Sequence, residues 1–387
     1  MHSITMLKSS SSLFTPIKIN QTLIRNRFIR SATHEALSES TTGLPTNKLK
    51  KMITNLADGE VGLIIPGYVY PIFHGKAAKN QSSMTNYWQA DSWKPVINYV
   101  HEKGSKIIFQ VCHGGIRCNP DDIYGHEPIG CYSDNTESRT MTDEEIEETI
   151  ESFIQCSKRL KTVGSDGIQL HCSHGYLYSQ FLSPSCNKRT DKWGGSFDNR
   201  LRIVLETARS IRKVVGDDFL VSVKLNSCDY IENGVTPDLC AAYIRMLQPF
   251  VDLFELSGGM RGGQIIRCNV DNELIKKRIK KENLNEFVSF VNDYCKDVVY
   301  NDMYHVENAR IIRKLVPKDV KLSVVGGNRK FFEMQKLIDE GVVDLVSLCR
   351  PFLREPHLVR DLRTGKIDDI SCNSCGMCTM NRKNGIK

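Results

Sequence analysis

Two imidazoles and a phenol stand close together in the sequence, at His171, His174 and Tyr176. They end an apolar run that begins at Gly167, so they fall where a barrel or an open sheet presents its reacting groups. Side chains that donate hydrogen bonds or protons at such a place predict a site that binds an electron-rich oxygen and delivers a proton.

The same residues have two plainer interpretations, a structural histidine pair or a metal site. Zinc requires a third or fourth protein ligand. Cys172 is badly placed for that role, because its side chain points to the opposite face of the strand from His171. We therefore predict no metal at this position.

The elements that must position these residues form one recurrent unit. Runs rich in β-branched residues predict eight strands, at 27–32, 61–67, 106–112, 167–171, 219–225, 251–256, 320–325 and 343–348. Segments of helical period alternate with them, at 46–57, 91–102, 142–163, 198–215, 237–247, 308–315, 329–339 and 355–362. Several helices have start signals, such as Thr142 before three acidic residues and Thr236 before Pro237.

Strands and helices that alternate in this number predict an α/β fold, the (β/α)8 TIM barrel. A doubly wound open sheet could absorb the same alternation. Six of the strands, however, end in polar or glycine-rich residues, namely Thr33 and His34, Gln110 to Gly115, His171, Lys224 to Asn226, Gly326 to Asn328, and Cys349 with Arg350. Polar groups that converge from most strand ends favour a closed barrel with a central site.

Two long connections and a short hairpin depart from the minimal unit. The connections, at 183–197 and from Gly258 to about Tyr304, are expected to cover or shape the site. A hairpin that turns at Asn20 and Gln21 is expected to close the bottom of the barrel. We predict one domain over residues 1–365 and a cysteine-containing tail over 366–387.

Composition restricts partners and location. The net charge of +7 is modest for 387 residues, and the basic cluster at 276–281 contains no aromatic residue, so we expect a solvated helix and no nucleic-acid partner. No apolar run is long enough to span a membrane. The 14 cysteines are scattered, which is typical of reduced thiols. Although the first 30 residues weakly resemble an organelle presequence, we predict a cytoplasmic location.

The ends of the last two strands indicate a phosphate site. Gly326 and Gly327 would let backbone N–H groups approach a dianion, and Arg350 supplies a positive fork. A glycine pair alone more often makes a tight turn than a ligand site. With the arginine at the next strand end, a phosphate site and a tight turn become about equally well supported interpretations. Neither a P-loop nor a Rossmann fingerprint is present.

These pieces together give the chain a family resemblance. It resembles the old yellow enzyme family of FMN-dependent NAD(P)H:ene oxidoreductases, and most closely the barrel part of the 2,4-dienoyl-CoA reductase-like branch. The resemblance covers roughly residues 13–362. The motifs that carry it are Leu13 to Pro16, Asn26 to Thr33, Gly62 to Ile65, Gln110 with His113 to Gly115, His171 to Tyr176 with its long tail, Gly326 with Gly327, and Arg350 with Pro351.

The resemblance implies FMN as cofactor and NADH or NADPH as reductant. It implies that FMN is held by Ala32, Thr33, Gly67, Gln110, Lys224, Gly326, Gly327, Cys349 and Arg350. In the family Gln110 would meet the pyrimidine edge of the flavin, and Lys224 would lie near its N1–C2=O end, where a cation stabilises the anionic reduced form.

The resemblance also implies the chemistry. His171 and His174 would hold the carbonyl or carboxyl oxygen of a small electrophilic substrate, which polarises a conjugated C=C for hydride addition from flavin N5. Tyr176 would protonate the α carbon. Because NAD(P)H would reduce the flavin first in the same pocket, the expected cycle is ping-pong, with α,β-unsaturated carbonyl compounds or quinones as substrates.

Two departures from the family pattern affect the cofactor site. The first strand ends in Ala32, Thr33 and His34, so His34, with Thr33 as its competitor, is expected to contact the substrate or tune the flavin potential. The residue before Arg350, usually glycine, is Cys349, whose side chain could crowd a backbone contact to phosphate.

The tail contains Cys372, Cys375 and Cys378, which resemble the cysteine run that binds a 4Fe–4S cluster in larger family members. Such a cluster needs four thiolates. A fourth ligand could come from elsewhere, for instance Cys349, and the other interpretations are a degenerate remnant or an adventitious zinc site. We predict no native cluster.

Two alternatives to an ene reductase stay open. One is a flavin-binding barrel without turnover, although the joint presence of the histidines, Tyr176, Gln110 and Lys224 argues for an enzyme. The other is a flavin oxidase or amine dehydrogenase on the same scaffold. A homo-oligomer is also compatible with the sequence.

Overall fold

The computed structural model describes residues 10–133, 137–269, 285, 288–289, 292–296 and 298–380. The basic cluster at 276–281 lies outside the described residues, as do the first nine residues of the chain.

Eight parallel strands close into a barrel. In chain order they are β1 (Phe28–Arg30), β2 (Leu63–Ile64), β3 (Lys106–Val111), β4 (Gly167–Cys172), β5 (Leu220–Asn226), β6 (Leu253–Ser257), β7 (Leu322–Val325) and β8 (Leu345–Leu348). Each strand pairs with the next, and β8 pairs with β1. The (β/α)8 prediction is therefore confirmed, and closure excludes the doubly wound sheet.

Eight main helices lie outside the strands, as the sequence predicts. They are α1 (Asn47–Asp58), α2 (Lys94–Glu102), α3 (Asp143–Thr162), α4 (Phe197–Val215), α5 (Pro237–Leu247), α6 (Val306–Leu315), α7 (Phe331–Asp339) and α8 (Leu358–Arg363). The start of α3 is a capping box, since Thr142 accepts from the Glu145 N–H and the Glu145 side chain accepts from the Thr142 N–H. Shorter helices occupy Tyr87–Asp91, Leu177–Leu182, Gly262–Ile265, Arg350–Arg354 and Met377–Met380.

The bottom of the barrel is closed by apolar side chains. The predicted hairpin is present as Ile17–Ile19 paired with Thr22–Ile24, and Asn20 takes the left-handed conformation at its turn. Its isoleucines share a buried cluster with residues near the amino ends of the strands, such as Leu63, Leu220 and Leu253. The bottom of the barrel is thus packed with apolar side chains, and the polar residues lie at the carboxyl end of the strands.

The long connection after β6 adds material at the carboxyl end. Its described part begins with the helix Gly262–Ile265 and returns at Tyr304 and His305 before α6. These residues line the central cavity, as expected for this connection. The connection at 183–197 instead holds Asn187, which donates to the carbonyl oxygens of Phe181 and Trp193. Among the residues that the structure describes, no helix is long and apolar enough to cross a membrane.

Candidate active site

A cavity of about 280 Å³ opens at the carboxyl end of the barrel. Most of the predicted site residues line it: Ala32, Thr33, His34, Gln110, His171, His174, Tyr176, Lys224, Gly326, Gly327, Cys349 and Arg350. Cys378 of the tail also lines the cavity. Gly67, Cys372 and Cys375 are not among its lining residues. The structure therefore brings together groups from six strand ends that lie far apart in sequence.

A left-handed turn after β4 sets the two imidazoles beside each other. His171 is on the strand, whereas His174 has φ of +66° and is followed by Gly175 at +73°. The His174 N–H donates to Asn226 Oδ1 over 3.1 Å, which fixes the turn to β5. The ring centroids of His171 and His174 are 5.2 Å apart in an edge-to-face arrangement.

Both imidazoles are neutral at physiological pH. Burial lowers the pKa of His171 well below its usual range, and the charge of Lys224 adds to the effect. Burial and Lys224 act on the pKa of His174 in the same direction. His171 Nδ1 is 3.1 Å from Ser173 Oγ, and His174 Nε2 is 2.7 Å from Ser257 Oγ. A neutral imidazole keeps one N–H donor, so the pair can polarise an oxygen without transferring a proton to it.

Tyr176 belongs to an aromatic group beside the imidazoles. Its hydroxyl donates to the Tyr68 hydroxyl over 3.1 Å, and its ring lies 4.9 Å from that of His171. His34 stacks on Tyr68 with 5.1 Å between centroids. The phenol and His34 thus lie at the same end of the cavity as His171 and His174.

A chain of buried polar side chains crosses the barrel behind Lys224. The Lys224 ammonium donates to Ser31 Oγ over 2.9 Å and lies 3.6 Å from Glu255. Gln169 donates to the same carboxylate over 3.1 Å. Gln110 in turn donates to Gln169 over 2.8 Å. Since these residues sit on neighbouring strands in register, the barrel itself fixes the cation and the amide in the cavity wall.

Gly67 packs behind the cavity against a buried carboxylate. Its N–H donates to both oxygens of Glu35 at 3.1 Å, and a Cβ at Gly67 would lie 2.1 Å from Glu35 Oε2. Glu35 also accepts from Arg30 over 2.5 Å. The glycine is therefore required by this contact, which stiffens the end of β1 under the cavity.

The loop after β7 has the form of an anion cradle. Gly326 and Gly327 have φ of +130° and +73°, and Cβ atoms there would meet the Tyr304 ring at 2.7 and 3.0 Å. Nearby, Asn328 Oδ1 and Ser347 Oγ are buried without a hydrogen-bond partner in the described residues, and both residues line the cavity. The Ser347 hydroxyl can donate a hydrogen bond, so together with the two glycines and Arg350 it fits a phosphate group, whereas Asn328 Oδ1 can only accept.

The side chain of the cysteine before Arg350 lies near the end of β1. Cys349 Sγ is 3.8 Å from the Ser31 carbonyl oxygen and 3.9 Å from that of Ala32, at the end of β1. The tail lies on the two arginines, because Arg350 reaches the Ser374 carbonyl oxygen at 3.5 Å and Arg329 donates to that of Cys372 at 3.0 Å. Within the described part of the chain, no group of three or more His, Cys, Asp or Glu residues is arranged to hold a metal ion.

The comparison with known families decides the assignment. A sequence model of the NADH:flavin oxidoreductase / NADH oxidase family matches residues 12–251. The chain belongs to this family. Membership confirms the resemblance to old yellow enzymes, and the family implies FMN as the cofactor.

Curated relatives are similar to this chain along most of its length. It is 28% identical to the N,N-dimethylglycine/sarcosine dehydrogenase of Chromohalobacter salexigens, over 97% of this chain and 52% of that protein. The NADH oxidase of Thermoanaerobacter brockii is 29% identical over 95% of this chain and 53% of its own length. An NADH-dependent flavin oxidoreductase of Aspergillus parasiticus is 30% identical over 88% and 76%. The chain thus spans about half the length of the first two relatives.

Solved structures agree on the fold. A 2-naphthoyl-CoA reductase superimposes with a TM-score of 0.83 at 25% identity, over 97% of this chain and 56% of that one. An old yellow enzyme homologue from Zymomonas mobilis gives 0.73 at 20% identity over 93% and 95%.

Several residues of the candidate site were not predicted from the sequence. Tyr68 and Ser257 contact the predicted catalytic residues, Glu255 compensates Lys224, and Tyr304 covers the glycine loop. Glu255 carried a signal, since it is a lone carboxylate inside an otherwise apolar strand. Tyr68 follows the singled-out Gly67. No comparable signal marked Tyr304, which lies in the long connection.

Proposed function

We propose that this chain is an NAD(P)H-dependent ene reductase that reduces the activated C=C of an α,β-unsaturated carbonyl compound or quinone by a ping-pong cycle. The observation that carries the proposal is the arrangement of two neutral imidazoles and a phenol at one end of a cavity whose other end is an anion cradle. A scaffold that only bound flavin would not require the donor set at the first end.

The cradle and the middle of the cavity fit FMN. Gly326, Gly327 and Arg350 would hold its phosphate, with Ser347 as an additional donor. Gln110 and Lys224 would meet the polar edge of the ring, while the backbone of Ala32 and Thr33 would support it. Bound FMN supplies the hydride-transfer chemistry, which no amino-acid side chain offers.

The imidazoles have the protonation state that the reaction needs. His171 and His174 each keep one N–H donor when neutral, and two donors that converge on one carbonyl oxygen stabilise the negative charge that develops there. A protonated histidine would instead compete as an acid. The lowered pKa of both residues therefore supports a polarising role.

Tyr176 is the proposed proton donor to the α carbon. Its hydroxyl is held by Tyr68 at 3.1 Å, so the phenol is oriented before substrate binds. His34 is proposed to shape the same end of the cavity through its stacking on Tyr68.

Anaerobic absorption spectroscopy of the FMN-loaded protein tests the proposal. NADH or NADPH is expected to bleach the flavin absorbance, and 2-cyclohexenone is expected to restore it. Bleaching without recovery on any enone or quinone would reject ene reduction, and no bleaching by NADH or NADPH would reject the NAD(P)H-dependent cycle.

A second candidate function is amine oxidation, in which the flavin is reduced by the substrate. Similarity to an N,N-dimethylglycine/sarcosine dehydrogenase over 97% of this chain favours it. The same experiment separates the two, since anaerobic sarcosine or N,N-dimethylglycine would bleach the flavin only in an amine dehydrogenase.

A further inference from the structure

Four cationic side chains line the cavity, namely Arg117, Lys224, Arg329 and Arg350. None of the described residues that line it carries a carboxylate. Two of the cations face a carboxylate that does not line the cavity. Lys224 lies 3.6 Å from Glu255, and Arg329 lies 3.7 Å from Asp302. Arg350 belongs to the proposed phosphate end. Arg117 is therefore the cation for which neither the cofactor nor a described carboxylate accounts.

Arg117 lies at the substrate end of the cavity. It ends the short turn Gly115–Arg117 that follows β3, and a Cβ at Gly175 would lie 2.7 Å from its Nη2 and 2.9 Å from its Cζ. Gly175 separates His174 from Tyr176 in sequence. The guanidinium thus packs on the turn that presents the proposed carbonyl-binding and proton-donating residues.

One fixed contact orients this side chain and leaves donors available. Arg117 Nη2 donates to the Met260 carbonyl oxygen, at the start of the long connection after β6. Its Nε and Nη1 have no hydrogen-bond partner in the part of the chain that the structure describes. A guanidinium presents five donors in a planar fork that matches a carboxylate.

We propose that the substrate carries a second, anionic group, a carboxylate, which Arg117 binds while the two imidazoles hold the carbonyl oxygen. The proposal rests on the proposed ene-reductase function and deepens it, because it names the substrate class as unsaturated carbonyl compounds with a remote carboxylate. The pyrophosphate of NAD(P)H offers the same anionic chemistry, so the test must separate the two sources.

A matched substrate pair tests this assignment on the FMN-loaded enzyme. The compounds are trans-6-oxohept-4-enoate and its methyl ester, which share the enone and differ in charge. Wild type is expected to show a higher kcat/KM for the acid than for the ester. Arg117→Gln should lower the acid-to-ester ratio by about tenfold or more, the effect of losing a charged hydrogen bond, and Arg117→Lys should keep part of it.

Arg261→Gln is the matched control. Arg261 is exposed and adjoins Met260 in sequence, but it does not line the cavity, so this variant removes a nearby charge without touching the site. It is expected to keep the wild-type ratio. An equal fall of the acid-to-ester ratio in both variants would mean that the positive charge of the region, and not a contact with Arg117, favours the acid. That result would overturn the proposal.

Two further readouts separate the possible failures. A higher KM for NADH or NADPH in Arg117→Gln with an unchanged acid-to-ester ratio would assign the arginine to the nicotinamide cofactor and overturn the proposal. Dissociation constants of acid and ester are also measured from the perturbation of the oxidised flavin absorbance. If neither compound is turned over, the proposed ene reduction is wrong. A selective loss of acid binding in Arg117→Gln would still support the carboxylate site. Equal binding of acid and ester by the wild type would reject that site.

Discussion

His174 Nε2 and Ser257 Oγ are 2.7 Å apart, which joins the turn after β4 to the end of β6 across the top of the barrel. The serine hydroxyl fixes the orientation of the imidazole, and the Asn226 side chain fixes its backbone. Ser257 also lines the cavity, but its role in the proposal is to hold the imidazole and not to bind the substrate oxygen itself. It is therefore a positioning residue for the proposed oxygen-binding pair.

Ser257→Ala is expected to weaken the binding of phenol to the oxidised holoenzyme. Loss of one orienting hydrogen bond costs about 0.5–1.5 kcal/mol, so the dissociation constant should rise roughly 2- to 13-fold. The measurement is a titration of the flavin absorbance with phenol. Ser227→Ala is the control, since Ser227 Oγ donates to the Ser257 carbonyl oxygen over 2.6 Å and does not contact His174. An unchanged affinity in Ser257→Ala would mean that His174 does not bind the oxygen.

Tyr176→Phe is expected to slow the oxidative half-reaction and to spare flavin reduction. Removal of a positioned proton donor costs on the order of 10²- to 10⁴-fold in the step that it serves. Stopped-flow absorbance measures the two half-reactions separately.

Tyr68→Phe is the matched control for this variant. It removes the hydroxyl that accepts from Tyr176 but leaves the donor itself, so a smaller loss in the same half-reaction is expected. Equal losses in both half-reactions of Tyr176→Phe would refute the role as proton donor.

Gly327→Ala is expected to weaken FMN binding by about tenfold or more, because a single lost charged contact has that magnitude. The added Cβ would lie 2.6 Å from the Met303 backbone nitrogen at φ of +73°, so the cradle must move. Gly341→Ala has a similar φ of +66° with no atom within 4 Å of the new Cβ. It should cost stability but retain FMN affinity, as measured by fluorescence titration of the apoprotein. Similar FMN affinities in the two variants would place the phosphate elsewhere.

Glu35→Gln tests the buried ion pair beneath the cavity. The Arg30 side chain is fully buried and its partner is 2.5 Å away, so neutralising Glu35 leaves an uncompensated charge that costs about 3–5 kcal/mol. Glu60→Gln breaks a pair with Arg363 whose side chains are 19% and 43% exposed, and it should cost at most about 1 kcal/mol. Urea unfolding at saturating FMN gives both values. A small loss in Glu35→Gln would show that the pair is not needed to compensate Arg30.

The sequence was sufficient to predict the barrel and its polar end, because hydrophobic period and strand-end chemistry are local signals. All eight strands lie within the predicted runs or within one residue of them. The partners of the predicted residues were not predictable in the same way. The pairing of Lys224 with Glu255 depends on the register between β5 and β6, and only closure of the barrel sets that register.

Contacts made across the top of the barrel were likewise hidden. Tyr304 covers the glycine loop, and Arg117 reaches Met260, through connections that carry no periodic pattern. The contact of Gly67 with Glu35 was hidden in the same way, because Glu35 was not singled out in the sequence. The contact of Gly67 with the flavin ring, which the resemblance implies, stays a prediction.

Acidification is expected to destabilise the protein through its buried histidines. Burial lowers the pKa of five of them, His74, His113, His171, His174 and His305, the last to about 3. In the unfolded chain a histidine titrates near 6.5. Below that pH the histidines bind protons in the unfolded state but stay neutral in the folded state. The free energy of unfolding therefore falls as pH drops from about 6.5 toward the folded pKa values.

Each fully buried histidine contributes a loss of about 1.4 kcal/mol per pH unit in this window. Urea unfolding at pH 7.5 and 5.5 measures the total. His113→Asn should reduce the difference between the two pH values by about 1.4 kcal/mol, whatever its effect on stability at pH 7.5, since His113 is 2% exposed. His126 is exposed, and His126→Gln should keep the wild-type difference. If both variants kept that difference, protonation of buried histidines would not be the cause of the acid sensitivity.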